Sequence, residues 1–233
     1  MGLDEAGRGP VLGDLFMGGV VCTQKQISVL EEAEVDDSKT LSAKKRQALS
    51  KIIQQNSLDC LVKPIPVSII DANVKKPGKK SLNDLEIDLM ISLIVRLEPD
   101  IVYIDAMTSK PEKFARRIRS ILETLKQGNK IDMVPEVVAE NKGDQKYCIV
   151  GAASILAKVE RDAAIEAEKA NYLEFGDIGS GYPSDPKTKE FLRNYIIKER
   201  QPPTIARKSW STTTKLMDEI VYQKKLLDFT NRS

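Results

Sequence analysis

The chain contains no histidine, and that absence excludes more chemistry than any other feature of its 233 residues. Without an imidazole there is no Ser-His-Asp or Cys-His nucleophile, no histidine-driven cleavage of RNA and no His-ligated zinc. Cysteine is scarce as well. Cys22, Cys60 and Cys148 are odd in number and form no C-x-x-C pair, so they read as buried free thiols in a reducing compartment. No apolar run approaches the ~18 residues that span a bilayer, and no basic stretch leads into an apolar signal core. The expected location is therefore the cytoplasm, with no membrane partner. Charge of one sign is lacking too: 36 Lys and Arg against 34 Asp and Glu leave a formal +2. That balance neither establishes nor excludes a nucleic-acid partner, because binders can confine their basic residues to local patches. Hydrolysis in such a chain has to rest on carboxylates and metal ions.

The carboxylates are placed for it. Asp4 and Glu5 stand side by side in Asp4-Glu5-Ala6-Gly7-Arg8-Gly9-Pro10, after a short apolar start. Adjacent strand residues point to opposite faces, so both acids serve one site only if the strand ends there and the backbone turns. Gly7 and Gly9 permit the turn and expose bare N–H groups, with Arg8 between them as a phosphate partner. On its own the segment reads better as a charged strand end running into a Gly-Pro turn. Asp105 closes the strand-like run Asp100-Ile101-Val102-Tyr103-Ile104, and Asp144 precedes a long helical stretch. Ligands gather at the carboxyl ends of strands in open sheets, which brings Asp4 and Asp105 together. Clustered carboxylates repel unless divalent cations with a preference for hard oxygen, Mg²⁺ or Mn²⁺, lie among them. A pair of such ions ~4 Å apart clamps the attacking and leaving oxygens of a phosphoryl displacement.

The chain resembles the ribonuclease HII family, in its archaeal-like form. The resemblance rests on Asp4-Glu5-Ala6-Gly7-Arg8-Gly9-Pro10, Asp37-Ser38-Lys39, Leu82-Asn83-Asp84-Leu85-Glu86, Tyr103-Ile104-Asp105-Ala106, Ala152-Ala153-Ser154-Ile155-Leu156-Ala157-Lys158 and Gly179-Ser180-Gly181-Tyr182-Pro183-Ser184-Asp185-Pro186. It implies an RNase H-like α/β fold. It also implies endonucleolytic hydrolysis of RNA in RNA/DNA hybrids and at single ribonucleotides embedded in duplex DNA, leaving 5′-phosphate and 3′-hydroxyl ends. Asp4, Glu5, Asp105 and Asp144 would then be the catalytic and metal-binding set for two divalent ions. Gly7, Arg8 and Gly9 would read the 2′-hydroxyl, the group that separates RNA from DNA. Tyr182 would stack on the sugar beyond the ribonucleotide, and Lys39 is a candidate substrate contact whose alternative is a solvated basic face. A non-catalytic hybrid- or junction-binding protein on the same fold is the alternative. The chain departs from the family in having Asn141-Lys142-Gly143-Asp144 where His-Lys-Ala-Asp is common, which removes any help from that histidine.

The pattern of elements reads β-β-α-β-α-α-β-α-β-α, a mixed central sheet flanked by helices. Expected elements include a helix from Ala43 capped by Ser42, a helix from Ser81 to Leu97, one capped by Ser109, a strand from Met133 to Glu140 and a helix from Tyr147 to Asn171. A Gly/Pro/Ser-rich stretch divides a catalytic domain, 1–185, from a helical substrate-binding appendage, 186–233, with helices over Phe191–Glu199 and from Thr212 to Phe229. Lys39, Lys44, Lys45 and Arg46 read equally as a solvated basic face or a phosphate track. Lys158 and Arg161 read equally as surface ion-pair residues or as organisers of the acidic site, and Glu86 reads as structural. Arg207, Lys208 and Trp210 form a further cluster. In the tail, Gln223, Leu226 and Phe229 have the spacing of a sliding-clamp motif carried by archaeal members of the family, with Thr230 in place of its second aromatic. Packing of a helix end explains the same residues. Nothing in the sequence demands more than a monomer.

Overall fold

The computed structural model describes residues 1–35 and 41–222. Lys39 and the tail residues Gln223, Leu226, Phe229 and Thr230 lie outside the described residues. The described chain divides into two compact units. The first comprises Met1–Ala6, Phe16–Ile65 and Leu82–Glu160, the second Gly7–Leu15, Pro66–Ser81 and the described part of Arg161–Ser233.

The first unit is built on five strands: β1 (Gly2–Ala6), β2 (Leu15–Val21), β3 (Asp59–Ile65), β4 (Ile101–Asp105) and β5 (Glu136–Glu140). Their order is β3-β2-β1-β4-β5. β1 is antiparallel to β2 and parallel to β4, and β4 is parallel to β5. The mixed sheet expected from the sequence is present. Side-chain alternation sorts its two faces. Leu3, Met17, Val102 and Ile104 pack in one apolar cluster with α4 (Leu82–Leu97) and α5 (Pro111–Gln127). Val20 and Tyr103 face a second cluster, built with α1 (Gln24–Glu32), α2 (Ala43–Asn56) and the start of α7 (Cys148–Glu168). Full burial of each large aliphatic side chain is worth ~1.5–3 kcal/mol, so the two clusters fix which face each strand residue takes.

Gly2, Asp4, Gly18 and Asp105 fall by that alternation on the face toward α7. The helix approaches closely there because two of these positions lack side chains. A Cβ on Gly2 would sit 2.1 Å from the Ile149 carbonyl oxygen, and one on Gly18 would sit 2.3 Å from that of Ala153. Gly18 is also the register partner of Asp4. Cys22, Cys60 and Cys148 are free thiols, but all three are partly exposed where burial was expected.

Several element boundaries differ from the sequence reading, each for a local reason. α1 was not expected. Its signal is Thr23-x-x-Gln26, in which Thr23 Oγ1 accepts from Gln26 N and Gln26 Oε1 accepts from Thr23 N, a reciprocal cap. Ser42 does cap α2, accepting from Lys45 N at 3.2 Å. Ser109 does not cap α5, which starts at Pro111 with Lys110 before it and no side-chain cap, as suits a residue with a preset φ and no N–H to satisfy. β5 begins at Glu136, after Pro135, because proline cannot donate to a ladder. The helix expected from Tyr147 begins one residue later as α7, and Tyr147, at φ −123° and ψ 110°, separates it from a short α6 (Gly143–Lys146) that was not expected.

The second unit has its own core, in which Val11, Leu12, Ile165, Tyr172, Phe175, Phe191 and Leu192 are buried together. α8 (Pro186–Glu199) begins earlier than expected: Asp185 accepts from Lys187 N, and Pro186 takes the first helical position. α9 (Ser211–Met217) follows, continued by a wider turn over Asp218–Tyr222. The remaining helix, α3 (Val67–Asn73), belongs to this unit as well.

Candidate metal centre and substrate-reading loop

Two strands and the first turn of a helix deliver one carboxylate each to the same place. Asp4 comes from β1, Asp105 from the last position of β4, and Asp144 from the first turn of α6. One carboxylate oxygen from each lies within 4.8 Å of the others. Asp4 and Asp144 are buried, at 4% and 1% exposure. Burial, the largest effect, pushes the Asp4 carboxyl up to about 6, and the nearby Asp105 adds to the rise; a hydrogen bond from Ser154 and the charge of Lys158 work against it. Ser154 is fully buried on α7 and receives a hydrogen bond from Lys158 Nζ at 2.7 Å. Glu5 N donates to Asp4 Oδ1 at 2.8 Å, and Gly143 N donates to Asp105 Oδ1 at 3.0 Å. The Glu5 carboxylate is half-buried on the next position of β1 and is not one of the three.

Acceptor-only oxygen donors, mostly buried and from separate segments, match what Mg²⁺ or Mn²⁺ requires. The residues present therefore fit a divalent ion. The approach of Asp144 to Asp105 depends on Gly143: a Cβ there would lie 3.1 Å from Asp105 Cα, Asp105 N and the Ile104 oxygen. Lys142 before it takes a left-handed φ of 59°. Asn141 Nδ2 donates to the Ala106 and Thr108 carbonyls at 3.0 and 2.9 Å, tying this turn to the chain beyond β4.

In the second unit the backbone turns sharply at Gly7, whose φ is +94°. Arg207 is fully buried and donates to the carbonyls of Gly7 (2.6 Å), Arg8 (3.1 Å) and Gly13 (3.0 Å). Its guanidinium carbon lies 4.8 Å from the centre of the Trp210 ring, which leaves Trp210 partly buried against the unit's core. Burial depresses the Arg207 pKa to about 10, with Arg161 contributing. The loop carrying Tyr182 is bound to the same segment, since Val11 N and Leu12 N both donate to the Gly181 carbonyl, at 2.8 and 3.2 Å. Tyr182 is 39% exposed, with the guanidinium of Arg161 4.9 Å from its ring centre. A Cβ on Gly9 would be 3.7 Å from that ring. Arg207 thus holds Gly7 and Arg8, the Gly181 carbonyl holds the Tyr182 loop to the same segment, and Gly9 lies beside the Tyr182 ring. The sequence motifs mark Ser154 but not its bond to Asp4, and nothing in them marks the burial of Arg207.

A family model described as Ribonuclease HII matches residues 1–213. The chain belongs to the ribonuclease HII family. A ribonuclease HII from Methanococcus maripaludis is 43% identical over 230 residues, covering 96% of this chain and 88% of the relative. The structure of ribonuclease H2 from Pyrococcus horikoshii OT3 superposes with a TM-score of 0.81 at 37% identity, covering 94% of this chain and 97% of the other. That of the PCNA:RNase HII complex from Archaeoglobus fulgidus gives 0.77 at 36% identity, covering 92% and 95%. A ribonuclease HII is a metal-dependent endonuclease that hydrolyses RNA in RNA/DNA hybrids, and the RNase H-like fold expected from the sequence is the one present. No described helix is long and apolar enough to cross a membrane.

Proposed function

We propose that this ribonuclease HII cuts at single ribonucleotides embedded in duplex DNA as well as in longer hybrids, using two divalent ions at Asp4, Glu5, Asp105 and Asp144. The observation that carries this is the convergence of the Asp4, Asp105 and Asp144 oxygens within 4.8 Å. Mg²⁺ or Mn²⁺ bound there supplies water activation on one side of the scissile phosphate and charge neutralisation at the leaving 3′-oxygen on the other. The protein's part is placement. Glu5 N holds one Asp4 oxygen, Gly143 N holds one Asp105 oxygen, and the Lys158–Ser154 pair orients Asp4 from α7. The 2′-hydroxyl is read by Gly7, Arg8 and Gly9 and does not attack, so the products carry 5′-phosphate and 3′-hydroxyl ends. Tyr182 packs on the sugar past the ribonucleotide, and residues 186–233 serve substrate binding through the tie of Arg207 to the Gly7-Arg8 backbone. Lys39 is assigned a phosphate contact on its place in Asp37-Ser38-Lys39. The protein works as a cytoplasmic monomer.

The test is a nicking assay on duplex DNA holding one ribonucleotide, run with Mg²⁺, with Mn²⁺ and with chelator. Asp105→Asn and Glu5→Gln should each lower the rate by a factor of a hundred or more, on the order of 3 kcal/mol, with Asp144→Asn the mildest of the carboxylate changes. Wild-type rates in Asp105→Asn, or cutting in chelator, would refute the two-ion site. The relative solved with PCNA gives a reason to test the tail for clamp binding. Replacing Leu226 and Phe229 by alanine should abolish binding to a sliding clamp; a full-length chain that fails a pull-down passed by a two-aromatic control peptide ends that assignment.

A further inference from the structure

A buried arginine is expensive to keep, because the charge loses its hydration and needs other partners. Among the described residues, the Arg207 side chain donates to main-chain carbonyls of one short segment, those of Gly7, Arg8 and Gly13. The backbone repeats the connection: Arg207 N donates to the Val11 carbonyl, Gly13 N donates to that of Ile205, and Leu12 pairs with Ala206 in an isolated antiparallel bridge. Trp210 supplies its ring face to the cation. From outside, Asp71 holds the same stretch by accepting from Lys208 N, Ser209 N and Ser209 Oγ.

Each peptide unit is planar, so fixing a carbonyl also fixes the N–H of the following residue. The Gly7 carbonyl sets the amide of Arg8, and the Arg8 carbonyl sets the amide of Gly9. Glycines leave this loop otherwise soft, with Gly7 in a region open to few other residues. A planar guanidinium with donors in a rigid fork can hold adjacent carbonyls at once, which a lysine ammonium cannot do with the same geometry.

We propose that Arg207 is a positioning residue for ribose recognition: by gripping the Gly7 and Arg8 carbonyls it pre-orients the Arg8 and Gly9 amides toward a 2′-hydroxyl, and so sets how strongly the enzyme separates a ribonucleotide from a deoxyribonucleotide. This rests on the reading that the Gly7-Arg8-Gly9 loop senses that hydroxyl. Its readout is discrimination, which a purely structural arginine would not control.

The experiment measures binding in Ca²⁺ of two duplexes, alike except that one carries a single ribonucleotide and the other is all DNA, by wild type and by Arg207→Lys. The wild type should prefer the ribonucleotide duplex, and Arg207→Lys should reduce that preference about tenfold, or ~1.4 kcal/mol, at a temperature where both are folded. A wild type without preference would overturn the reading of the loop itself. A wild type with preference and an Arg207→Lys variant that keeps it would overturn the role of Arg207 alone. Should Arg207→Lys not fold, Asp71→Ala loosens the same stretch from its exposed side. The preference must then fall in the same direction by a smaller factor, and an unchanged preference overturns the proposal.

Discussion

Asp4→Asn should make the metal-free protein more stable near neutral pH while removing its activity. Burial raises the Asp4 carboxyl from its ordinary 3.8 to about 6. The folded protein therefore holds that proton more tightly than the unfolded chain does. Below pH ~4 both states are protonated and nothing is lost; as pH rises from ~4 to ~6 the folded state is progressively penalised, and above ~6 the penalty is full. The gap between 3.8 and about 6 is worth ~3 kcal/mol. Asparagine carries no charge to desolvate, and its oxygen can still accept from Glu5 N, as Asp4 Oδ1 does at 2.8 Å. Its amide hydrogens enter a buried place built for acceptors, at a cost of ~1–2 kcal/mol. The net gain at pH 8 is ~1–2 kcal/mol, which for a chain of this size raises Tm by ~2–8 °C. At pH 4 only the amide cost remains, so the variant should be the less stable of the two. Thermal unfolding in chelator at both pH values checks this inversion. Adding Mg²⁺ or Mn²⁺ at pH 8 should then stabilise the wild type and leave the variant almost unmoved. If Asp4→Asn in chelator is no more stable than wild type at pH 8, the account of a desolvated carboxylate awaiting a cation is wrong.

Two further changes probe the remaining structure. Tyr182→Ala should slow cleavage of a single embedded ribonucleotide more than that of a long RNA/DNA hybrid, because only the former always places a ribo-to-deoxy junction at the site; equal losses in a paired rate measurement would make the tyrosine a packing residue. Gly18→Ala places a methyl group 2.3 Å from the Ala153 carbonyl oxygen, forcing α7 and β2 apart at ~1–3 kcal/mol. Tm should drop by several degrees, with a loss of rate as Ser154 withdraws from Asp4, and an unchanged Tm would show that the helix has slack.

The parts legible in the sequence are those carried by local rules. The strand ending at Asp105 and the Ser42 cap follow from alternation and capping chemistry. Asp4 and Asp105 could be brought together by the rule that ligands gather at the carboxyl ends of strands, and the resemblance added Glu5 and Asp144, of which the structure brings Asp144 into the group. Long-range structure was less accessible. Gly2 and Gly18 look like weak points in two strands until α7 lies against them, and only then does Ser154 acquire its bond to Asp4. Glu86, set aside as structural on an amphipathic helix, is fully buried, which its charge would have argued against. Arg207 is the strongest case. In sequence it belongs to a basic cluster with Lys208, of the kind that usually faces solvent or phosphate; in the structure Lys208 is exposed and Arg207 is enclosed. What separates the two neighbours is the narrow ribbon that brings Ala206 against Leu12, a pairing between residues almost a chain length apart that no local pattern encodes. The glycines that make the loop at Gly7 readable as a ligand-binding turn also make it too soft to hold its own shape, so the stiffness has to come from elsewhere in the chain.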